Sequence, residues 1–102
     1  MAKVSAYFVV LSTRAQKETT QAWEWYEERQ IGLGDRFSVE LIDKIKKISL
    51  KPERFPVRYK SYREALVSVF PYLIIFRVSR KNKSIRIVSV FHASLNPKKK
   101  YQ

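Results

Sequence analysis

The 102-residue chain has the length of one domain, and its 45% hydrophobic and 14% aromatic content fills a modest core, which excludes a disordered class. With no cysteine and one histidine, disulfides and thiolate metal sites are excluded and zinc has few ligands to draw on. The net charge of +12 is uneven: residues 51–102 hold 13 Lys+Arg against 2 Asp+Glu, while residues 1–50 hold 8 against 7.

Residues 4–11 (VSAYFVVL) are β-branched and aromatic and read as a strand. Ser12 and Thr13 are good helix N-caps, and Thr13 with Gln16 matches a capping box. Ala15, Thr19, Ala22, Trp23 and Tyr26 then line one face of a helix ending near Gln30. Gly32 and Gly34 are the only glycines. Lying between two helical patterns, they are expected to supply the backbone angles of a helix–helix turn. They do not form a phosphate loop, because a third glycine and a preceding strand are both missing. Asp35 can cap a second helix whose apolar face is Phe37, Leu41, Ile45 and Ile48, with Pro52 as its stop.

Residues 54–60 read as a loop leading into an edge. Strands are expected over 62–70, 72–78 and 85–91, with Pro71 and the polar SRKNKS segment as punctuation. Lys98-Lys99-Lys100 reads as a solvated tail. The whole chain, residues 1–102, is then one α+β domain of order β-α-α-β-β-β: an antiparallel-rich sheet with a helical hairpin on one face. The other face is open in part, and function is expected there. Nothing at the N-terminus has the form of a secretory signal, and no segment approaches the roughly 20 apolar residues of a membrane span. A cytoplasmic protein without membrane contact is expected.

A strongly basic half attracts polyanions: nucleic acid, an acidic protein segment or an anionic surface. Six of its cations are arginines, which suit phosphate and carboxylate forks. Alternation places Arg77 opposite in parity to Tyr72, Ile74 and Phe76, hence on the open face. In the last strand Arg86, Val88, Val90 and His92 share a parity, so Arg86 and His92 are expected on one face. Arginines there would hold a phosphate, and His92 would move a proton; equally, a lone histidine at a strand end suits a surface or capping role. Glu64 reads as a local partner of Arg63 or Arg58. Tyr59, Tyr62 and Tyr101 are interleaved with Arg58, Lys60 and Arg63, a mixture that fits either RNA stacking or a protein interface.

Trp25-Tyr26-Glu27-Glu28 followed by Gly32-Leu33-Gly34-Asp35-Arg36-Phe37 resembles a signature of RelE/ParE-type toxins of type II toxin–antitoxin systems, a family that includes plasmid stabilisation proteins. Lys51-Pro52-Glu53-Arg54-Phe55-Pro56, Arg58-Tyr59-Lys60, Arg63, Phe70-Pro71-Tyr72-Leu73-Ile74-Ile75-Phe76 and Val90-Phe91-His92-Ala93-Ser94-Leu95-Asn96-Pro97 continue it in register.

The resemblance implies a growth-arresting toxin without cofactor, neutralised by an acidic antitoxin in a hetero-oligomer. One branch of the family poisons DNA gyrase, and another cleaves mRNA on the ribosome. For cleavage, His92, Arg63 and Tyr101 would be catalytic, and Arg58, Tyr59, Lys60, Arg77 and Arg86 would bind nucleic acid or a partner. Two positions depart from the ribonuclease pattern. Ser68 and its neighbours lack the arginine expected before the 72–78 strand, and Leu95 stands where many relatives have arginine. Gyrase poison, ribosome-dependent endoribonuclease and a decayed toxin that only binds antitoxin all remain open at this level.

Overall fold

A computed structural model describes residues 6–95 and 97–101. Its elements are β1 (Phe8–Leu11), α1 (Thr13–Arg29), α2 (Leu33–Leu50), β2 (Val57–Tyr59), β3 (Tyr62–Leu66), β4 (Tyr72–Ser79) and β5 (Ser84–His92), with single 3-10 turns at Pro52–Arg54 and Pro97–Lys99. The sheet runs β1-β5-β4-β3-β2. It is antiparallel except for the parallel β1–β5 pair. This is the expected α+β order with one addition. Residues 54–60 read as a loop, yet Val57–Tyr59 pairs with β3 as an edge strand. All three of its residues are exposed, so no burial pattern announced it. Of the expected first strand, Val4 and Ser5 lie outside the described residues.

Local chemistry sets the helix ends. Ser12, one residue before the expected capping box, is the N-cap of α1. Its Oγ accepts from the Ala15 N–H at 3.0 Å and donates to the Val88 carbonyl at 2.8 Å. Gln16 reaches the Leu11 carbonyl at 3.1 Å instead of closing the box. The cap therefore also ties the helix to β5.

Gly32 is the N-cap of α2 with φ +90, a left-handed angle that favours glycine. Asp35 is not the cap: it lies inside the first turn and accepts from the Trp23 indole N–H at 3.0 Å. The Glu27 carboxylate does the capping, accepting from Gly32 N at 2.9 Å and Gly34 N at 3.0 Å, where a negative charge meets the positive helix end.

Gly34 serves a different purpose from the expected one. A Cβ there would lie 2.8 Å from the Trp23 carbonyl oxygen and 2.9 Å from its ring, so glycine permits close approach of the two helices. Gly34→Ala is expected to cost about 1–3 kcal/mol by overpacking, a fall in Tm of roughly 5–20 °C for a domain of this size. A thermal melt checks it, and an unchanged Tm would refute the close contact.

Phe37, Leu41 and Ile48 of α2 and Ala15, Ala22 and Tyr26 of α1 pack onto Ile74, Phe76, Ile85, Ile87 and Val90 of the sheet. Each large side chain buried there contributes about 1.5–3 kcal/mol relative to exposure. Strand β3 stops at Leu66, short of the expected Phe70. Val69 adopts φ +75, and Phe70 turns into the core against Tyr26 and Phe37.

Candidate functional site

The register of β4 with β5 decides the site. Ile85 and Ile87 stand opposite Val78 and Phe76, and Val90 and His92 stand opposite Ile74 and Tyr72. All eight face the helices. Two equivalent positions on β5, Ile87 and Val90, are three residues apart, because a bulge falls between Phe76 and Ile75 of β4 and takes up Val88. The extra residue reverses the alternation of everything beyond it. Arg86, opposite Arg77, faces away from the helices, while His92 faces them. The expectation that Arg86 and His92 share a face is therefore corrected, and Phe91 moves to the open side for the same reason.

His92 borders a cleft of about 540 Å³ between the C-terminal half of α1 and the ends of β4 and β5. Trp25, Tyr26, Tyr72, Val90 and Leu95 supply its apolar walls, and Glu18 lies at one side. The His92 ring meets Tyr72 edge-on at 4.9 Å. Its Nδ1 accepts from the Ser94 backbone N–H at 3.1 Å, with Ser94 Oγ 2.7 Å away. A backbone N–H only donates, so Nδ1 carries the lone pair and the neutral ring holds its proton on Nε2. Glu18 spans helix and sheet. Its Oε1 accepts from Ser89 Oγ at 2.7 Å and Val90 N at 3.0 Å, and Oε2 pairs with Arg14 at 3.4 Å. No sequence signal marked it, since it sits on α1 like any other solvated acid.

The other expected residues divide between the two faces. Arg63 stands opposite Phe76, on the helix side, where it donates to the Phe55 carbonyl at 2.6 Å. It is engaged in holding the segment before β2. On the open side, Tyr59 and Tyr62 are register partners. Tyr101 stacks on both, at 4.5 Å and 5.2 Å. Arg77 lies over the Tyr62 ring at 5.4 Å and Lys60 over Tyr59 at 5.3 Å. Arg58 is exposed on β2, close enough to favour ionisation of the Tyr101 phenol.

Glu64 does not pair with Arg63 or Arg58. It binds Lys100 Nζ at 3.1 Å and accepts from the Tyr101 hydroxyl. Arg14 holds the Lys99 carbonyl at 2.7 Å. The expected solvated tail is thus tied across the open face. Ile75 and Phe91, directed away from the helices, are buried on the side where the tail closes on Glu64.

Burial raises the phenol pKa of Tyr26, Tyr72 and Tyr101. The Glu64 hydrogen bond and charge raise that of Tyr101 further, above the usual phenol range. The neutral phenol is therefore favoured by the fold. The tail's hold is complete below the ordinary value of 10.0 and is lost as pH climbs beyond it. Titration at 295 nm is expected to show three of the six tyrosines ionising late, and two in Tyr101→Phe. Late ionisation of three in that variant would contradict the Glu64 contact.

Among the described residues no group of three His, Asp or Glu side chains is arranged to hold a metal, and no helix is long and apolar enough to cross a membrane.

Residues 9–97 match a family model described as the ParE toxin of the type II toxin–antitoxin system ParDE. No curated protein matches the chain in sequence. Among solved structures, the chain is similar to one of the chromosomal ParDE system from P. aeruginosa, with TM-score 0.75 and 13% identity over 88% of this chain and 99% of that one. It is also similar to the RelBE2 toxin–antitoxin complex of Mycobacterium tuberculosis, with TM-score 0.64 and 19% identity over 92% and 100%. The isolated E. coli RelE toxin aligns with TM-score 0.61 and 22% identity over 91% and 90%. At these identities the structures share the fold.

Proposed function

Because the chain belongs to the ParE family of type II toxin–antitoxin toxins, we propose that it arrests growth by binding a protein target, DNA gyrase first, and that an acidic antitoxin silences it. The observation that carries this reading is the separation of the groups an endoribonuclease would need together. His92 faces the helices, Arg77 and Arg86 face the opposite side, and Arg63 is engaged with the Phe55 carbonyl. In-line cleavage of RNA needs phosphate-binding cations and a proton-transfer group around one phosphate. The Val88 bulge parts His92 from the open-face arginines, and the Tyr101 phenol on that face is engaged by the Glu64 carboxylate, so a binding mode of arrest is the better fit.

The cleft beside α1 is concave and apolar with a few polar groups, the form expected where a protein anchor docks. The basic half supplies the field that draws in an acidic partner. A supercoiling assay with purified chain tests the reading. Inhibited supercoiling or a trapped cleavage complex is expected, with His92→Ala retaining most of the effect. Unaltered supercoiling together with cut ribosome-bound message in a primer-extension assay would replace gyrase poisoning by RNA cleavage. Growth unaffected by the wild-type chain would leave a protein that only binds antitoxin.

A further inference from the structure

We propose that Ser94 is an acyl-acceptor site: His92 draws the proton from its hydroxyl, and the cleft beside α1 seats the apolar acyl group of an activated carboxylic ester. The site does not depend on how the chain arrests growth.

The hydroxyls of the chain differ in what they face. Ser12, Thr19 and Ser49 donate to backbone carbonyls, and Ser89 donates to the Glu18 carboxylate. A backbone carbonyl accepts a hydrogen bond but does not take up the proton, so those contacts hold structure. Ser94 Oγ instead lies 2.7 Å from His92 Nδ1. Because that nitrogen carries the lone pair, the hydroxyl donates to it, which is the contact of a nucleophile with its general base. Among the described residues the Ser94 hydroxyl has no other hydrogen bond.

The pair is held in place. Ala93 N donates to the Pro71 carbonyl at 2.7 Å and Leu95 N to the His92 carbonyl at 3.1 Å, so the turn carrying Ser94 is fixed on both sides. The His92 ring is braced by the Ser94 N–H and by the edge contact with Tyr72. A base and a nucleophile already aligned lose little freedom on reaction. Ser94 is exposed, and both residues line the cleft of about 540 Å³, so an electrophile bound there has access to the hydroxyl.

The lining selects the class of substrate. Among the described residues no Lys or Arg lines the cleft, and Glu18 adds a carboxylate to it. A phosphoryl donor brings negative charge that calls for cations around it, so it is a poor fit. An ester carbonyl is neutral, and an aliphatic acyl chain suits the walls of Trp25, Tyr26 and Leu95. The Tyr72 hydroxyl forms no hydrogen bond among the described residues, and burial favours its protonated form. A donor for the oxyanion therefore stands in the wall against which His92 rests. Ser94 Oγ attacks the carbonyl carbon as its proton passes to His92 Nδ1. The ester C–O bond then breaks, and the departing alcohol or phenol takes that proton. Ser94 is left as the ester and His92 is neutral again.

The test incubates the full chain with p-nitrophenyl hexanoate or p-nitrophenyl acetate and maps acylated residues by peptide mass spectrometry. Ser94 is expected to label about a hundredfold faster than Ser61, an exposed serine in the turn before β3. His92→Gln should slow Ser94 by about a hundredfold and leave the surface lysines unchanged. At Ser94 the hexanoate should react about tenfold faster than the acetate, the gain of roughly two buried methylenes. Ser94 labelling no faster than Ser61 in the wild-type chain would overturn the proposal, whatever the variant does to folding. Undiminished labelling of Ser94 in His92→Gln would overturn it as well. Equal rates for the two esters at Ser94 would remove the cleft as the seat of the acyl group.

Discussion

Phe37→Ala is expected to lower stability by about 3–5 kcal/mol, a large share of the roughly 5–15 kcal/mol that holds a domain of this kind together. Phe37 is wholly buried and is the centre of an aromatic cluster. Its ring lies 5.5 Å from Tyr26, 5.4 Å from Phe70 and 5.1 Å from Tyr72. Truncation removes the transfer energy of the ring and leaves a cavity that its neighbours cannot close, because each is held by another contact. Tyr72 also forms the wall against which His92 rests, so the cleft should loosen with the core. Urea denaturation measures the loss, and Phe37→Leu should recover more than half of it. A loss below about 1 kcal/mol would mean that the cluster does not hold the hairpin to the sheet.

Glu18→Ala should cost about 2–4 kcal/mol, since it strands two donors at once, the Val90 N–H and the buried Ser89 hydroxyl. Strand β1 covers β5 only from Ser84 to Ile87. Beyond that the Glu18 carboxylate takes the place of a strand neighbour on the exposed edge. Glu18→Gln retains an acceptor and should cost about 1 kcal/mol. Hydrogen exchange gives a local readout: the Val90 amide should exchange faster in Glu18→Ala, with amides of β3 little changed. An equal effect across the sheet would show that Glu18 acts on global stability and not on that edge.

Function and stability meet at the same elements. The bulge that separates His92 from Arg86 also brings the Val90 N–H to Glu18, and so shapes the wall of the cleft. The tail that stacks Tyr101 on Tyr59 and Tyr62 covers one part of the open face and leaves Arg77 and Arg86 exposed. Two separate surfaces result: an apolar cleft beside α1 and, on the opposite face, the exposed Arg77 and Arg86.

Local pattern made much of this legible. The 3.6-residue periodicity of Ala15, Ala22 and Tyr26 and of Phe37, Leu41 and Ile48 placed both helices and their buried faces. Gly32 and Pro52 marked their ends, and the alternation of Tyr72, Ile74, Phe76 and Val78 set the core face of β4. Each of these signals depends on residues within a turn or two of one another, where backbone geometry follows from the sequence directly. The motif series and the uneven charge pointed to an antitoxin-controlled toxin for the same reason: both are properties of the chain read in order.

Tertiary pairing decided the rest. Which face His92 occupies depends on one extra residue at Val88, and that residue is set by where β5 meets β4, not by anything in the β5 sequence. The three exposed residues of β2 became a strand because β3 offered an unpaired edge, and Lys100 and Tyr101 became ordered because Glu64 needed partners once buried. Gly34 owes its role to a helix that arrives from elsewhere in the chain. In each case the deciding contact joins residues far apart in sequence, so its energy exists only after the fold has closed.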